Sequence, residues 1–401
     1  MRQDLIRRYG GAAPRYTSYP TAPHFSDTVG PPQYRERLSQ LPADEPVSLY
    51  LHVPYCDTLC WFCGCHTKMT RRYRPVSNYV DTLMQELVLI AQTAPRKLRM
   101  SHMHWGGGSP TLLQADDILR LARAAIALFP PARGFEFAVE IDPRGTGTDR
   151  IAALARAGLT RASIGVQDFD PTVQRAINRI QTFAETADVV RNLRDHGIQN
   201  LNLDLMYGLP HQSRVRTLST VRRALELEPA RVALFGYAHV PWMKTHQRMI
   251  PEEALPGPAE RLETFEAAAA LLTEAGYVRT GIDHFAKPDD SMAQAFEQGN
   301  LRRNFQGYTT DRAETLIGAG ASAVSRLPGM YAQNSVPIQR YTAMVREGDL
   351  PVEKGVRLTN EDRMRAEIIE RIMCDFAVDL GAICRRHGTT IERISESTRQ
   401  L

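Results

Sequence analysis

The chain has 401 residues, of which 43% are hydrophobic, 23% charged and 7% aromatic, and its formal charge is +4. That composition excludes a disordered chain, and 49 basic against 45 acidic residues lacks the excess of a nucleic-acid binder. No run approaches the ~18 apolar residues of a membrane span, and Met1 to Arg15 holds no secretory signal. A cytoplasmic protein without membrane or nucleic-acid partners is expected.

Taken in chain order, residues 1–44 read as an arm rich in Pro, Gly, Tyr and Thr, with one short helix near Pro32–Gln40. A rhythm then begins. Short β-branched runs (Val47–Val53, Met100–Trp105, Phe135–Ile141, Arg161–Val166, Asn200–Met206 and Arg231–Tyr237) alternate with helical patterns such as Tyr79–Ala91 and Ile118–Leu128. Strands alternating with helices imply βαβ units and a parallel sheet. The expectation is an α/β fold, a partial (β/α) barrel of about six parallel strands over residues 45–255.

Residues 256–345 read as a barrel extension on the substrate side. They carry a helix over Pro258–Glu274, a strand near Arg279–His284 and an irregular stretch through Asn304–Thr310. Residues 346–401 read as a small, mainly helical domain. Its helix Thr359–Cys374 is expected to have Thr359 as N-cap, with Asp362 at the capping-box position. The polar stretch His387–Leu401 leads into no strand.

Function gathers at the carboxyl edge of parallel strands, and nearly every strand expected here runs into unusual residues. The first meets Cys56, Cys60, Cys63 and Cys65, four cysteines within ten residues. In a reducing compartment such a cluster reads as a metal site. Cys56-x-x-x-Cys60-x-x-Cys63 offers three thiolates that can hold three irons of a cubane cluster and leave the fourth iron open. The competing reading is a structural zinc site with Cys65 as fourth ligand. Against it stand the cramped C-x-C spacing and the lack of a second ligand pair farther along the chain.

The second strand ends in Gly106-Gly107-Gly108-Ser109, where missing Cβ atoms let a ligand approach the backbone. The chain lacks GxxxxGK[ST] and GxGxxG, so a zwitterion fits better than a phosphate. Glu140, Gln167 and Asp204 lie at or beside strand ends and could bind ribose hydroxyls or an ammonium group. Arg179 could pair with a carboxylate. Each of these could equally be structural, and His52 fits a hydrogen-bonded core histidine.

The string Cys56-x-x-x-Cys60-Trp61-Phe62-Cys63 resembles the motif of radical S-adenosylmethionine enzymes. The segments Tyr50-Leu-His-Val-Pro-Tyr-Cys56, Pro14-Arg15-Tyr16-Thr17-Ser18-Tyr19-Pro20-Thr21, His104-Trp105-Gly-Gly-Gly-Ser-Pro-Thr111, Val139-Glu140-Ile-Asp142-Pro-Arg144 and Asn304-Phe-Gln-Gly-Tyr-Thr-Thr310 narrow the likeness. They resemble the oxygen-independent coproporphyrinogen III oxidases.

The resemblance implies one 4Fe–4S cluster held by Cys56, Cys60 and Cys63, and two molecules of S-adenosylmethionine. Tyr50, Phe62, Gly107, Glu140, Ala238 and Val324 would contact the first. Gly108, Ser109, Gln167, Arg179 and Asp204 would contact the second. It implies oxidative decarboxylation of the ring A and B propionates of coproporphyrinogen III to vinyl groups by a 5′-deoxyadenosyl radical, giving protoporphyrinogen IX. The same likeness implies a low-potential electron donor and a monomer. A tetracarboxylate needs guanidinium partners, and Arg15 is the candidate. Family members continue some tens of residues past the end of this chain, so the C-terminal domain is expected to be truncated. Competing readings are a haem-binding or haem-transfer relative on the same fold, and a radical methyltransferase that opens haem anaerobically.

Overall fold

The computed structural model of the chain describes residues 4, 6, 8, 18–95 and 98–392. Arg15 and the start of its arm lie outside these, as do the last nine positions.

One twelve-stranded sheet organises the chain. In chain order its strands are β1 (Val47–Val53), β2 (Met100–Gly107), β3 (Pro131–Ile141), β4 (Arg161–Gln167), β5 (Asn200–Tyr207), β6 (Arg231–Gly236), β7 (Val278–Thr280), β8 (His284–Ala286), β9 (Thr315–Ala319), β10 (Val324–Leu327), β11 (Met330–Asn334) and β12 (Val352–Arg357). The spatial order is β12-β11-β10-β9-β1-β2-β3-β4-β5-β6-β8-β7. All pairings from β9 through β1 to β6 are parallel. The pairings outside that run, at both edges, are antiparallel.

All six expected strands are present, but the expectation of a six-stranded partial barrel is too small. β9, a buried five-residue run with glycine at its fourth position, extends the parallel set on the far side of β1. Antiparallel pairings then add two strands at one edge and three at the other. The strand expected near Arg279–His284 is split by a turn into β7 and β8, and the three strands at the other edge carry no alternation that the sequence analysis picked out. Residues after 345 also begin with a strand, β12, whose backbone pairs with β11 and with Ser26 of the N-terminal segment. Beyond it, Thr359 caps Asn360–Asp375 and accepts the Asp362 N–H, as its sequence implies.

The period of two along each strand separates two environments. Leu49, Leu51, Met103, Trp105, Phe137, Val139, Ile164 and Leu203 form one apolar face, buried beneath the crossover helices. These include Arg74–Thr93, Ala115–Leu128, Thr148–Arg156, Phe183–Asp195 and Arg214–Glu226. The alternate positions (Tyr50, His104, Glu140, Ser163, Asp204 and Arg231) face a single cavity of about 440 Å³. His284 on β8 lines it too. Six strand spacings of ~4.8 Å would spread these residues over roughly 29 Å on a flat sheet. One small cavity reaches them all only because the sheet curls around it.

Candidate active site

Three glycines at the end of β2 join the cavity's parts. A Cβ at Gly106 would stand 2.6 Å from Glu140 Oε1, one at Gly107 2.4 Å from the His52 ring, and one at Gly108 2.5 Å from the Tyr55 carbonyl. Gly107 also has φ +108°, a conformation that L side chains rarely adopt. The bare backbone thereby donates from Gly108 N to Val53 O (2.8 Å) and from Ser109 N to Tyr55 O (2.7 Å). That fastens the glycine edge to the start of the cysteine loop.

The loop, residues 56–65, is held through its backbone. Asn178 Nδ2 donates to Leu59 O (2.8 Å), Gln247 Nε2 to Phe62 O (3.0 Å), His246 Nε2 to Cys63 O (2.8 Å) and Lys244 Nζ to Cys65 O (3.1 Å). A loop without regular structure needs such partners for its polar groups. Cys56, Cys60 and Cys63 all line the cavity as free thiols. Burial and the neighbouring thiols push Cys56 up to about 12, while a hydrogen bond from Cys65 brings Cys63 down to about 6. Around Cys60 the surroundings are cationic: Arg144 Nη2 lies 3.4 Å and Arg179 Nη1 3.6 Å from its sulfur. Asp142 anchors both guanidinium groups, at 2.6 Å to Arg144 and 3.2 Å to Arg179.

Across the cavity, Glu140 accepts from His104 Nε2 (3.2 Å) and from Gly107 N (3.1 Å). Burial works to raise this carboxyl, but the histidine and the N–H outweigh it and hold it below its ordinary value. Asp204 behaves oppositely. Burial and the nearby Glu140 charge push it up to about 6, against hydrogen bonds from Ser163 (3.0 Å) and Asn202 (2.8 Å). Gln167 stands at the end of β4 with φ +67°, a local strain of the kind that clusters at functional sites.

The structure brings Tyr50, Cys56, Cys60, Phe62, Cys63, Gly107, Gly108, Glu140, Gln167, Arg179 and Asp204 to one cavity. Three other expected residues are not on its lining. Ser109 is buried with its hydroxyl 3.2 Å from Thr111, Ala238 is exposed just past β6, and Val324 is buried with Phe25 and Tyr331. Arg179 does pair with a carboxylate, but with the protein's own Asp142. His52 is hydrogen-bonded through both ring nitrogens, to Tyr50 OH and His66 O (3.1 Å each), and burial lowers its pKa.

Residues that sequence reasoning left unassigned include Asp142 and Arg144, signalled only by a D-P-R run after a strand. His104 is another. Lys244, His246 and Gln247 reach the cysteine loop from about 180 positions away, and no local pattern marks them.

Among the described residues no three His, Cys, Asp or Glu side chains converge as a ready-made ion site. The donor chemistry nevertheless suits an iron–sulfur cluster: three thiols of one loop share a cavity wall, and two guanidinium groups stand by to offset thiolate charge. Such a wall facing a carboxylate-lined, glycine-edged cavity in a parallel sheet is compatible with the radical S-adenosylmethionine class that the cysteine motif resembles. Accordingly, the Radical SAM superfamily matches residues 50–224.

Over its full length the chain is 52% identical to the oxygen-independent coproporphyrinogen III oxidase of Bradyrhizobium diazoefficiens, covering 89% of that protein. It is 49% identical to the Paracoccus denitrificans protein of the same name, over 98% of this chain and 88% of that one. The solved coproporphyrinogen III oxidase of Escherichia coli, described as a radical SAM enzyme, superposes with a TM-score of 0.90 at 37% identity, over 96% of this chain and 87% of that one. The chain belongs to the oxygen-independent coproporphyrinogen III oxidase family. Membership implies a 4Fe–4S cluster and S-adenosylmethionine.

Proposed function

We propose that this chain converts coproporphyrinogen III to protoporphyrinogen IX without oxygen, in the cytoplasm, as a monomer served by a low-potential electron donor. What carries the reading is the meeting of the three thiols of residues 56–63 with Glu140 and Asp204 on one cavity, in a chain alike over its full length to enzymes of that name. Residues 45–255 would form the cofactor-holding unit and 256–345 the substrate side.

Cys56, Cys60 and Cys63 would hold the cluster. Tyr50, Phe62, Gly107, Glu140, Ala238 and Val324 would contact one S-adenosylmethionine, and Gly108, Ser109, Gln167, Arg179 and Asp204 a second. When bound, these groups would supply the radical chemistry for oxidative decarboxylation of a propionate side chain to a vinyl group. The protein binds and orients. Glu140, ionised at neutral pH, accepts from an ammonium or from ribose hydroxyls. The bare edge at residues 106–108 lets a zwitterion lie against backbone. Arg179 and Arg144, held by Asp142, offset negative charge at Cys60. Arg15 would pair with a substrate propionate.

The test is anaerobic turnover of reconstituted protein with coproporphyrinogen III, S-adenosylmethionine and dithionite, read by mass spectrometry. Loss of two carboxyl groups supports the reading. An intact cluster that cleaves S-adenosylmethionine but removes no carboxyl group refutes the substrate.

A further inference from the structure

We infer that His284, aimed by Asp283, is a contact for a propionate carboxylate of the tetracarboxylate substrate. This rests on the reading just given and names a residue on the substrate side of the same cavity.

β8 leaves the parallel run and pairs antiparallel with β6, in a register that sets His284 opposite Ala233. On its other side Ala233 faces Asp204. Paired positions point to one face of a sheet, so His284 joins the cavity wall two strands beyond Asp204, with only a methyl group in the row between them. The two side chains sense each other, since charge on His284 counters part of the upward push that burial gives Asp204.

The imidazole has little freedom. Asp283 accepts from Nδ1 at 2.7 Å, and the rings of Phe235 and Tyr308 stand edge-on at 5.6 and 5.2 Å. Only 12% of the side chain is exposed. A ring already fixed in this way loses little entropy when a ligand arrives. Among the described residues nothing partners Nε2, the remaining polar atom of a ring that lines the cavity. A carboxylate on each nitrogen favours the doubly protonated ring, which donates at both ends.

The surroundings suit a ligand with several carboxylates. Arg303 lines the same cavity, its guanidinium 4.5 Å over the face of Tyr308, the ring that also packs against His284. The cavity's other guanidinium groups, on Arg144, Arg161, Arg179 and Arg231, are each paired with Asp142, Glu136 or Asp290. S-adenosylmethionine also carries a carboxylate, so the test separates the two sources.

Parent, His284→Leu and His284→Gln, each loaded with cluster, would be titrated anaerobically with coproporphyrin III, the unreactive oxidised ring, and with its tetramethyl ester. Porphyrin fluorescence reads binding. KM values for coproporphyrinogen III and for S-adenosylmethionine are measured alongside. We expect coproporphyrin III affinity to fall, and the KM for coproporphyrinogen III to rise, roughly tenfold in His284→Leu. His284→Gln, which keeps a donor without the charge, should lose less. Ester affinity, cluster absorbance and the KM for S-adenosylmethionine should stay as in the parent. Unchanged coproporphyrin III affinity would overturn the proposal. So would an equal loss with the ester, which marks a contact to the ring, or a rise confined to the KM for S-adenosylmethionine, which marks a cofactor contact. Loss of cluster absorbance in both variants would assign His284 a structural role and overturn it too. A parent that cleaves S-adenosylmethionine but neither binds coproporphyrin III nor removes a carboxyl group would overturn the underlying reading instead.

Discussion

Replacing Glu86 with glutamine should flatten part of the protein's dependence of stability on pH. Glu86 is fully buried on the helix Arg74–Thr93. Its carboxylate accepts from Gly320 N (2.7 Å), Tyr341 OH (2.6 Å) and Asn334 Nδ2 (2.6 Å), none of them a cation. These bonds fix the turn after β9, where Gly320 lies so close that a Cβ would meet the His52 carbonyl at 2.5 Å. Burial outweighs the three donors and pushes the carboxyl from 4.5 up to about 7.

Below pH 4.5 the group is protonated whether the chain is folded or not, so it costs nothing. Between pH 4.5 and 7 the folded chain keeps a proton that the unfolded chain releases, and stability falls as pH rises. Above about 7 the whole penalty is present. At ~1.4 kcal/mol per pH unit across that window it amounts to about 3 kcal/mol. Glutamine retains one carbonyl acceptor and turns an amide toward a donor, which adds a pH-independent offset of ~1–3 kcal/mol. Asp168 and Asp204, raised to about 6 by burial, tilt the curve in the same direction but do so in both proteins. Urea unfolding of iron-free protein at half-unit steps from pH 4.5 to 7.5 isolates the difference. Parallel curves for parent and Glu86→Gln would refute the assignment.

Cys56→Ala, Cys60→Ala and Cys63→Ala should each abolish iron and sulfide loading, whereas Cys65→Ala should load normally; loss of iron on replacing Cys65 would make it a ligand. Gly107→Ala forces a side chain into φ +108° and onto the His52 ring, and should weaken S-adenosylmethionine binding at least ~10-fold by equilibrium dialysis. An unchanged affinity would show that the edge does not touch the ligand. Arg179→Gln removes one of the two cations holding the half-buried Asp142 and should destabilise by ~1–3 kcal/mol, read in thermal unfolding; an unshifted midpoint would show that Arg144 suffices.

Part of this protein is legible in the order of its residues. The alternation of strand and helix is local, because apolar period and turn residues act over neighbours, so six parallel strands could be read directly. The cysteine spacing is local as well, since one loop carries all three thiols. Gly107 announced a close approach, although what it approaches, the His52 ring, did not show. Tertiary structure decided the rest. β9 to β12 are too short to declare themselves, and only pairing beside β1 makes them a sheet. Asp142 and Arg144 look like any charged pair until curvature of the sheet carries Arg179 to the same carboxylate and both guanidinium groups to Cys60. Glu86 reads in sequence as the polar side of a helix, yet it lies in the core because three donors from residues 320–341 converge on it. Lys244, His246 and Gln247 meet the cysteine loop only through the fold. Short-range physics is written along the chain, whereas desolvation, charge pairing and close approach depend on which distant residues the closed sheet brings face to face.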